Sequence, residues 1–463
     1  MGTFCKRKYG TAITACLLIP AFLFAQQKTY SLSQLVEAAR LHLPSVMQKM
    51  ALVNSAKAGV ADIKHSFLPQ LKVNEQLNIG SDNSIAGGYM PLGVAPSVSA
   101  GIRAANNLQP ATGNLAVLYS EYELVNFGLN DAKIKNAEAY VGLQQANLQR
   151  ELYVDQLNIA RLYFNLQKTQ YKLNADKQNV DRYDSIFKVI RALTLSGIKP
   201  GADSSLAKAE LSRTKIIYNQ TQGNINNIKE QLAYFTGINA VAMNIDSSGN
   251  RFTADWLALL KLPVDTVNNP LIDYYAKRKN IYLANETLIS KSYLPKILIA
   301  GSTWARGSSI QYNDDYQSLG TGFGYQRFNY MAGIAITYDL FNGVHKKDKL
   351  LINRFDALAS DYDLQQQKLA LNSASRQANN NLYTIEANLL ELPVQLKSAD
   401  DTYRQKLAQY KAGIITLIDL TNASFVLYRS QTDYIETLSD WYLAQLDKAA
   451  ANGSLDQFIQ TIK

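Results

Sequence analysis

One phrase of the sequence occurs twice. The stretch SGIKPGADSSLAKAELSRTKIIY begins at Ser196, and the stretch AGIITLIDLTNASFVLYRSQTDY begins at Ala412. Identical residues stand at matching places in both, and the members of every pair lie 216 residues apart (413 minus 197). Such a repeat predicts one assembly of two similar halves rather than a row of unrelated domains. The pairs are Gly197 and Gly413, Ile198 and Ile414, Asp203 and Asp419, Ala207 and Ala423, Leu211 and Leu427, Arg213 and Arg429, and Tyr218 and Tyr434.

The repeat also covers the segments that precede this phrase. Pro44 and Pro270 lie 226 residues apart (270 minus 44), as do the dipeptides Leu68-Pro69 and Leu294-Pro295. After each Leu-Pro the spacing of apolar residues changes from the helical period of about 3.6 to the strand period of 2. Each half is therefore predicted to contain a helix that runs into a strand, with proline at the strand's start, where its missing N–H is tolerated.

A second strand is predicted in each half. One begins at Asn114, and the other begins at Tyr330 and continues through Leu340. Each strand has about ten residues, the length that spans a bilayer at a tilt. The intervening segments 81–113 and 307–329 are rich in Gly, Ser and Asn, so they are predicted to be loops.

A very long helix is predicted after the second strand. No proline occurs from about Asp131 to Leu195, a length of roughly 95 Å at 1.5 Å per residue. Glutamine and asparagine accompany leucine and isoleucine along this stretch and along its counterpart in the second half. Two interpretations fit that mixture, a solvated helix face and the wall of a water-filled lumen.

The duplicated phrase stands where each long helix ends. Gly197 and Gly413 are placed to terminate the helices, because glycine adopts a positive φ without a Cβ clash. Asp203 and Asp419 are placed to cap the returning helices. The phrase is therefore predicted to be the tip of a helical hairpin, and the chain has two such tips.

The first residues are typical of a secretory signal peptide. Three basic residues at 6–8 precede an apolar run from Tyr9 to Phe24, and the small residue Ala25 follows. Removal of this segment would take away both cysteines, Cys5 and Cys16; lipoprotein processing at Cys16 is the alternative.

No later apolar run approaches the roughly 18 to 20 residues of a membrane helix. An exported chain of this kind would cross a membrane as a β-barrel.

Few features favour catalysis or nucleic-acid binding. The formal net charge is +9, but the lysines are scattered and no nucleic-acid motif accompanies them. The histidines His42, His65 and His345 are isolated, and no nucleophile motif or phosphate loop is present. The GTGFG stretch from Gly320 falls between strands, where a flexible loop is expected. We therefore expect neither an enzyme nor a cofactor, metal or nucleic-acid partner.

An ordered series of motifs runs through the chain: YSLSQLVEAARLHLPSV from Tyr30, both Leu-Pro strand starts, YELVNFG, YDLFNG and the two Gly-Ile-x-x-x-x-Asp tips. This series resembles the outer-membrane efflux protein family, the TolC-like exit ducts of Gram-negative bacteria. The resemblance covers essentially the whole mature chain. It implies a mainly α-helical fold with a membrane β-barrel part, in which long antiparallel helices form a periplasmic tunnel and each chain adds four strands to a shared trimeric barrel.

The resemblance also implies partners in the outer membrane and the periplasm. They are two further copies of the chain, outer-membrane lipid, a periplasmic adaptor (membrane fusion protein) and, through it, an inner-membrane pump. The function implied is passive conduction of substrates out of a tripartite efflux or type I secretion system; drugs, metals and proteins all remain open as cargo. The adaptor would contact the hairpin tips, which are Ser196, Gly197 and Ile198 in the first half and Ala412, Gly413 and Ile414 in the second.

A periplasmic constriction is also implied, close to the tips. Asp203 and Tyr410 match positions of the family's closing links, but Ile415 stands where an arginine is expected. Asp419 matches the outer acid of a carboxylate ring, whose second acid is replaced by Asn422. The resemblance therefore implies a constriction that is looser and less acidic than in the best-known members.

The repeat, together with the small equatorial domain at mid-length that the family fold implies, divides the chain into five parts. Residues 1–25 are the signal peptide, 26–235 the first structural repeat, 236–268 a linker or equatorial segment, 269–446 the second repeat and 447–463 a C-terminal equatorial tail. The alternative function is a periplasmic coiled-coil scaffold without a pore. Long helices alone would suit such a scaffold, but it would leave the four strands unexplained.

Overall fold

The structure is a computed structural model that describes most of the chain. The predicted signal peptide, with Cys5 and Cys16, lies outside the described residues, as do most of the linker 236–268 and most of the first inter-strand loop, 81–113. The interpretations of these segments stay predictions. The described residues are 29–81, 83, 104–245 and 269–462.

Both predicted halves have the same order of elements: a helix, two strands, a very long helix and a shorter returning helix. The described helices are α1 (Leu32–His42), α2 (Pro44–His65), α3 (Leu129–Leu195), α4 (Gly201–Thr236), α5 (Pro270–Ser292), α6 (Asn342–Lys411), α7 (Leu417–Ala451) and α8 (Leu455–Thr461). The described strands are β1 (Thr29–Tyr30), β2 (Gln70–Gly80), β3 (Ala111–Val125), β4 (Asn244–Ile245), β5 (Lys296–Ser308) and β6 (Arg327–Thr337).

The four long strands form one antiparallel sheet in the order β2-β3-β5-β6. Strands β2 and β5 begin directly after the Leu-Pro dipeptides, as predicted. Strand β6 ends at Thr337, so the prediction that it continues through Leu340 is wrong. The carboxylate of Asp339 accepts a hydrogen bond from the backbone N–H of Phe341 (3.0 Å), and this local turn directs the chain into α6 instead of extending the strand.

The helices pack side by side in a layer that extends from one end of the sheet. Helix α3 has 67 residues and α6 has 70, which correspond to about 100 Å and 105 Å. Helix α3 packs against α2 and α4 on one side and against α5 and α7 on the other, and α6 packs against α5 and α7. The order across the layer is thus α2 and α4, then α3, then α5 and α7, then α6. None of the described helices is long and apolar enough to cross a membrane.

A hydrophobic core joins the two halves near the middle of the long helices. Strand β1 pairs in parallel with β4, and α1 and α8 pack against α3. The ring of Phe164 stacks on Tyr442 with a centroid separation of 5.4 Å and meets Phe458 at 5.9 Å. The N-terminal and C-terminal segments are therefore held together around α3 and α7. This core fixes the position of the helical hairpins relative to the sheet.

The connection between β5 and β6 folds back over the sheet. Residues 309–326, which we call the strap, include a 3-10 helix at Leu319–Phe323. The side chain of Thr112 donates to the carbonyl of Leu319 (2.5 Å), and Asn114 donates to that of Phe323 (2.7 Å). A Cβ atom at Gly322 would clash with Thr112, so only glycine allows this close approach. The GTGFG stretch lies between two strands, as predicted, and these contacts hold it on β3.

Candidate functional site

The first hairpin tip closes with a glycine in the left-handed region. Gly197 has a φ of +73°, which confirms the predicted positive φ. The backbone N–H of Ile198 donates to the carbonyl of Leu193 (2.9 Å), and that of Gly197 donates to Thr194 (3.0 Å). These two bonds satisfy carbonyls at the end of α3 that would otherwise lack partners, the arrangement of a Schellman motif.

The second tip repeats this geometry at the end of α6. Gly413 has a φ of +76°. The N–H of Ile414 donates to the carbonyl of Gln409 (2.9 Å), and that of Gly413 donates to Tyr410 (3.0 Å). Ile198 and Ile414 are 66% and 73% exposed. Each tip therefore presents an exposed isoleucine on a turn that two backbone hydrogen bonds close.

The prediction that Asp203 and Asp419 are the caps of the returning helices needs correction. The N-cap of α4 is Pro200, and Asp203 is the third helical residue, with no side-chain capping bond at that terminus. The N-cap of α7 is Thr416, whose hydroxyl accepts from the N–H of Asp419 (3.3 Å). Proline supplies a fixed φ at the start of α4, and threonine supplies the capping oxygen at the start of α7.

Asp419 takes part in the cap from the other side. Its carboxylate accepts from the backbone N–H of Thr416 (3.0 Å) and from the Thr416 hydroxyl (2.7 Å). These hydrogen bonds hold the pKa of Asp419 below its ordinary value. The stabilisation from this carboxylate is therefore present above its unfolded pKa of about 4 and is lost as the pH falls through the folded pKa.

Behind the tips, a small apolar cluster joins the two hairpins. Helices α3, α4, α6 and α7 all contribute to it, and Ile415, which replaces the expected arginine, packs against it. A contact of this kind excludes water, so it depends little on salt. We call it the latch cluster; its buried members are Ile186, Ile190, Ala207, Tyr410, Leu417 and Leu420.

Tyr410 is the polar member of the latch cluster. Its side chain is 3% exposed, and among the described residues its hydroxyl has no hydrogen-bond partner. Burial, and next the charge of Asp203, raise the pKa of this phenol. The ammonium of Lys199 lies 5.4 Å from the centre of its ring. The structure thus brings Tyr410 and Asp203 near each other without a hydrogen bond between them, and Asn422 is exposed one turn after Asp419.

A buried polar network that the sequence analysis did not predict lies further along the hairpins. The carboxylate of Asp176 on α3 is fully buried. It accepts hydrogen bonds from Tyr428 of α7 (2.6 Å), Thr221 of α4 (2.6 Å) and Lys172 (3.0 Å). A charge buried with three donors fixes the relative position of three helices. Its sequence signal is weak, since one aspartate among the many polar residues of α3 does not stand out.

The comparisons with known proteins agree with this fold. The chain matches the family described as "Outer membrane efflux protein" over residues 35–237 and 267–454, most of its length. It is 21% identical to "Outer membrane protein TolC" of Escherichia coli (strain K12) over 442 residues, which cover 92% of this chain and 83% of that protein.

Two solved structures illustrate the likeness in three dimensions. The outer-membrane channel OprN superposes with a TM-score of 0.70 at 17% identity, over 97% of this chain and 99% of that chain. The outer membrane protein VceC of Vibrio cholerae gives 0.71 at 15% identity, over 91% and 96%. The prediction that the chain is not an enzyme is confirmed with the family. Matching in both repeats and along nearly its whole fold, the chain belongs to the outer membrane efflux protein family, as a TolC-type channel of the Gram-negative outer membrane.

Proposed function

We propose that three copies of this chain form one continuous exit duct, which conducts substrates passively across the outer membrane from an adaptor and an inner-membrane pump. One observation carries the proposal: the strands of the sheet and the helices of the layer follow the same order, and both end in edges that no other part of the described chain covers. A layer with two open edges closes when copies join edge to edge. Channels of this family work as trimers with pump partners in general; the particular adaptor contacts and cargo belong to the proposal.

The sheet supports closure by three copies. Its outer strands, β2 and β6, run in opposite directions, so β6 of one copy can pair antiparallel with β2 of the next. Four strands do not close a barrel, and eight leave an interior filled by side chains. Three copies supply twelve strands and leave an open lumen.

The helical layer supports the same arrangement. Helix α6 lies at one edge, and large apolar side chains on it recur at multiples of seven residues with 60–80% exposure. Such a stripe is typical of a helix that packs in a left-handed coiled coil. The opposite edge, formed by α2 and α4, exposes Met47, Leu52, Ile216 and Tyr234. The stripe on α6 consists of Phe355, Tyr362, Leu369, Tyr383 and Leu390.

The two faces of the sheet differ as expected for a wall between lipid and water. Strand register places most of the exposed apolar and aromatic side chains on one face and most of the polar or charged ones on the other, with Glu75 and Met331 as exceptions. A pore-less scaffold gives no reason for the apolar face. The apolar face includes Leu71, Val73, Leu77, Ile79, Ile299, Phe328, Tyr330, Ile334 and Ile336, and the polar face includes Lys72, Asn74, Gln76, Glu121, Ser302, Arg306 and Arg327.

The proposed roles of the tips follow from their position. Ser196–Ile198 and Ala412–Ile414 lie at the end of the helices farthest from the sheet, where an adaptor approaching from the inner membrane would meet them. The latch cluster would hold the hairpins of each chain together in the closed state, with Asp203, Tyr410, Asp419 and Asn422 around the constriction. The division into two repeats, with residues 236–268 and 447–463 at mid-length, is part of the same proposal.

The mass of the detergent-solubilised complex tests this proposal. The protein is expected in the outer-membrane fraction as a trimer that forms ion-conducting pores in planar bilayers. Release by osmotic shock would favour the scaffold instead. A monomer or dimer that fails to conduct would contradict the duct.

Asp419 offers a test of the constriction. Three copies would place three carboxylates around the axis, which attract cations. Because asparagine can accept the same two hydrogen bonds from Thr416, Asp419→Asn is expected to leave the melting temperature nearly unchanged. It should lower the cation-to-anion permeability ratio at least about twofold. Asp419→Ala should lower both quantities, and unchanged selectivity in both variants would leave Asp419 only its role in the cap.

A further inference from the structure

Two arginines face each other across strands β5 and β6. Arg306 and Arg327 are register partners at the end of the sheet away from the helices. Both are exposed, and neither guanidinium forms an ion pair with another residue of the part that the structure describes. Like charges placed directly opposite each other destabilise a strand pair. The Arg327 guanidinium donates one hydrogen bond to the carbonyl of Gln326 (2.8 Å), but no carboxylate of the described chain neutralises either charge.

Strand register assigns both side chains to the polar face. Arg306 lies in the same row as Leu115 and Gln76, because Leu115 pairs with both. The next residues towards the helices on this face of β5 and β6 are Trp304 and Asn329, which also pair with each other. Phe328 and Tyr330 alternate onto the opposite, apolar face. In a closed barrel the two guanidinium groups would point into the lumen rather than into lipid.

We propose that these arginines form an anion-binding collar at the outer mouth of the duct. The proposal rests on the trimeric duct argued above, in which three copies bring six guanidinium groups to one level of the lumen. Guanidinium groups bind phosphate, sulfonate and carboxylate groups through paired hydrogen bonds. The ligand class is thus a soluble small molecule that carries several negative charges.

The collar gives the duct opposite charges at its two ends. Asp419 places carboxylates at the tip end, whereas Arg306 and Arg327 place positive charge at the outer end. At physiological salt the Debye length is about 8 Å, far shorter than the helices, so each group of charges acts only on its own side. Multivalent anions are therefore expected to block the duct from the outer side alone.

Block of the pore by tripolyphosphate tests the collar. The parent trimer is inserted from one side into phosphatidylcholine bilayers, whose headgroups carry no net charge, and tripolyphosphate is added to either side at low salt. We expect block from the outer side only. In the double variant Arg306→Gln with Arg327→Gln, the half-blocking concentration should rise about tenfold or more. Because the substitutions remove a like-charge contact, the variant should assemble as well as the parent.

A matched control separates charge from shape. The double variant Arg306→Lys with Arg327→Lys keeps both charges and should keep most of the block. Equal block in the parent and the glutamine variant would overturn the collar, as would equal block from both sides, while leaving the duct intact. If the parent protein formed no conducting pore, the proposed duct would fail, and the collar with it.

Discussion

Gly413→Trp is expected to abolish export while trimers still reach the outer membrane. Gly413 has a φ of +76°, and nothing lies within 4 Å of the position of a Cβ atom there. A tryptophan would fit in the free chain at a cost of about 1–2 kcal/mol for the left-handed backbone. Its ring would cover the turn next to Ile414, where the adaptor is proposed to dock, and export should fall at least about tenfold. Export assays with quantified outer-membrane trimer measure the effect.

Two control variants separate backbone strain from obstruction. Gly413→Ala introduces the same backbone strain at a positive φ but no bulky side chain. Gly413→Asn introduces little strain, because asparagine tolerates the left-handed region, and its side chain is much smaller than that of tryptophan. Both should export nearly as well as the parent. If the tryptophan variant exported normally, or if alanine impaired export equally, the adaptor contact at this tip would be contradicted.

The sequence predicts the elements whose signals are local or repeated. The Leu-Pro starts of β2 and β5, the length of α3 and the positive φ of Gly197 all follow from spacing and residue type, and the structure contains each of them. A repeat adds strength, because the same pattern in both halves excludes accidental matches.

Features that depend on side-chain partners could not be predicted in the same way. Thr416 and Asp419 are both capping residues by type, and only geometry shows which of them is the N-cap. The strap is rich in glycine and therefore suggested a flexible loop, but Gly322 allows close contact with Thr112 instead. Likewise, the role of Asp176 is evident only in the structure, where hydroxyl groups of α4 and α7 donate hydrogen bonds to its carboxylate.

Tyr410 shows how a matched position can differ in its chemistry. The resemblance implies a closing link at Tyr410 and Asp203, but in this chain the tyrosine hydroxyl is buried without a partner among the described residues. Ile415 packs on the same cluster. Near the tips, the hairpins of one chain are thus joined by apolar contacts, whereas the Asp176 network joins them further along α3. Closure at the tips should therefore depend on burial more than on ion pairs.

Leu420→Asp is expected to open the duct that the latch cluster is proposed to hold closed. Leu420 is fully buried in the latch cluster, to which α3 and α6 also contribute side chains. An unpaired carboxylate there loses its hydration, at a cost of several kcal/mol, unless the hairpins separate and admit water. Single-channel conductance in planar bilayers should rise about threefold or more, since a wider constriction admits more ions and a shift of a few kcal/mol inverts a two-state equilibrium.

Two neighbouring substitutions control for this effect. Ile418→Asp adds the same charge on the same helix at a side chain that is 61% exposed, so it should leave the duct closed. Tyr410→Phe removes only the unpartnered hydroxyl and should also leave conductance low, since no hydrogen bond of this group within the described chain is lost. An open state in Tyr410→Phe would mean that a polar link, rather than apolar burial, holds the hairpins. A closed state in correctly assembled Leu420→Asp would show that the latch cluster does not control the constriction.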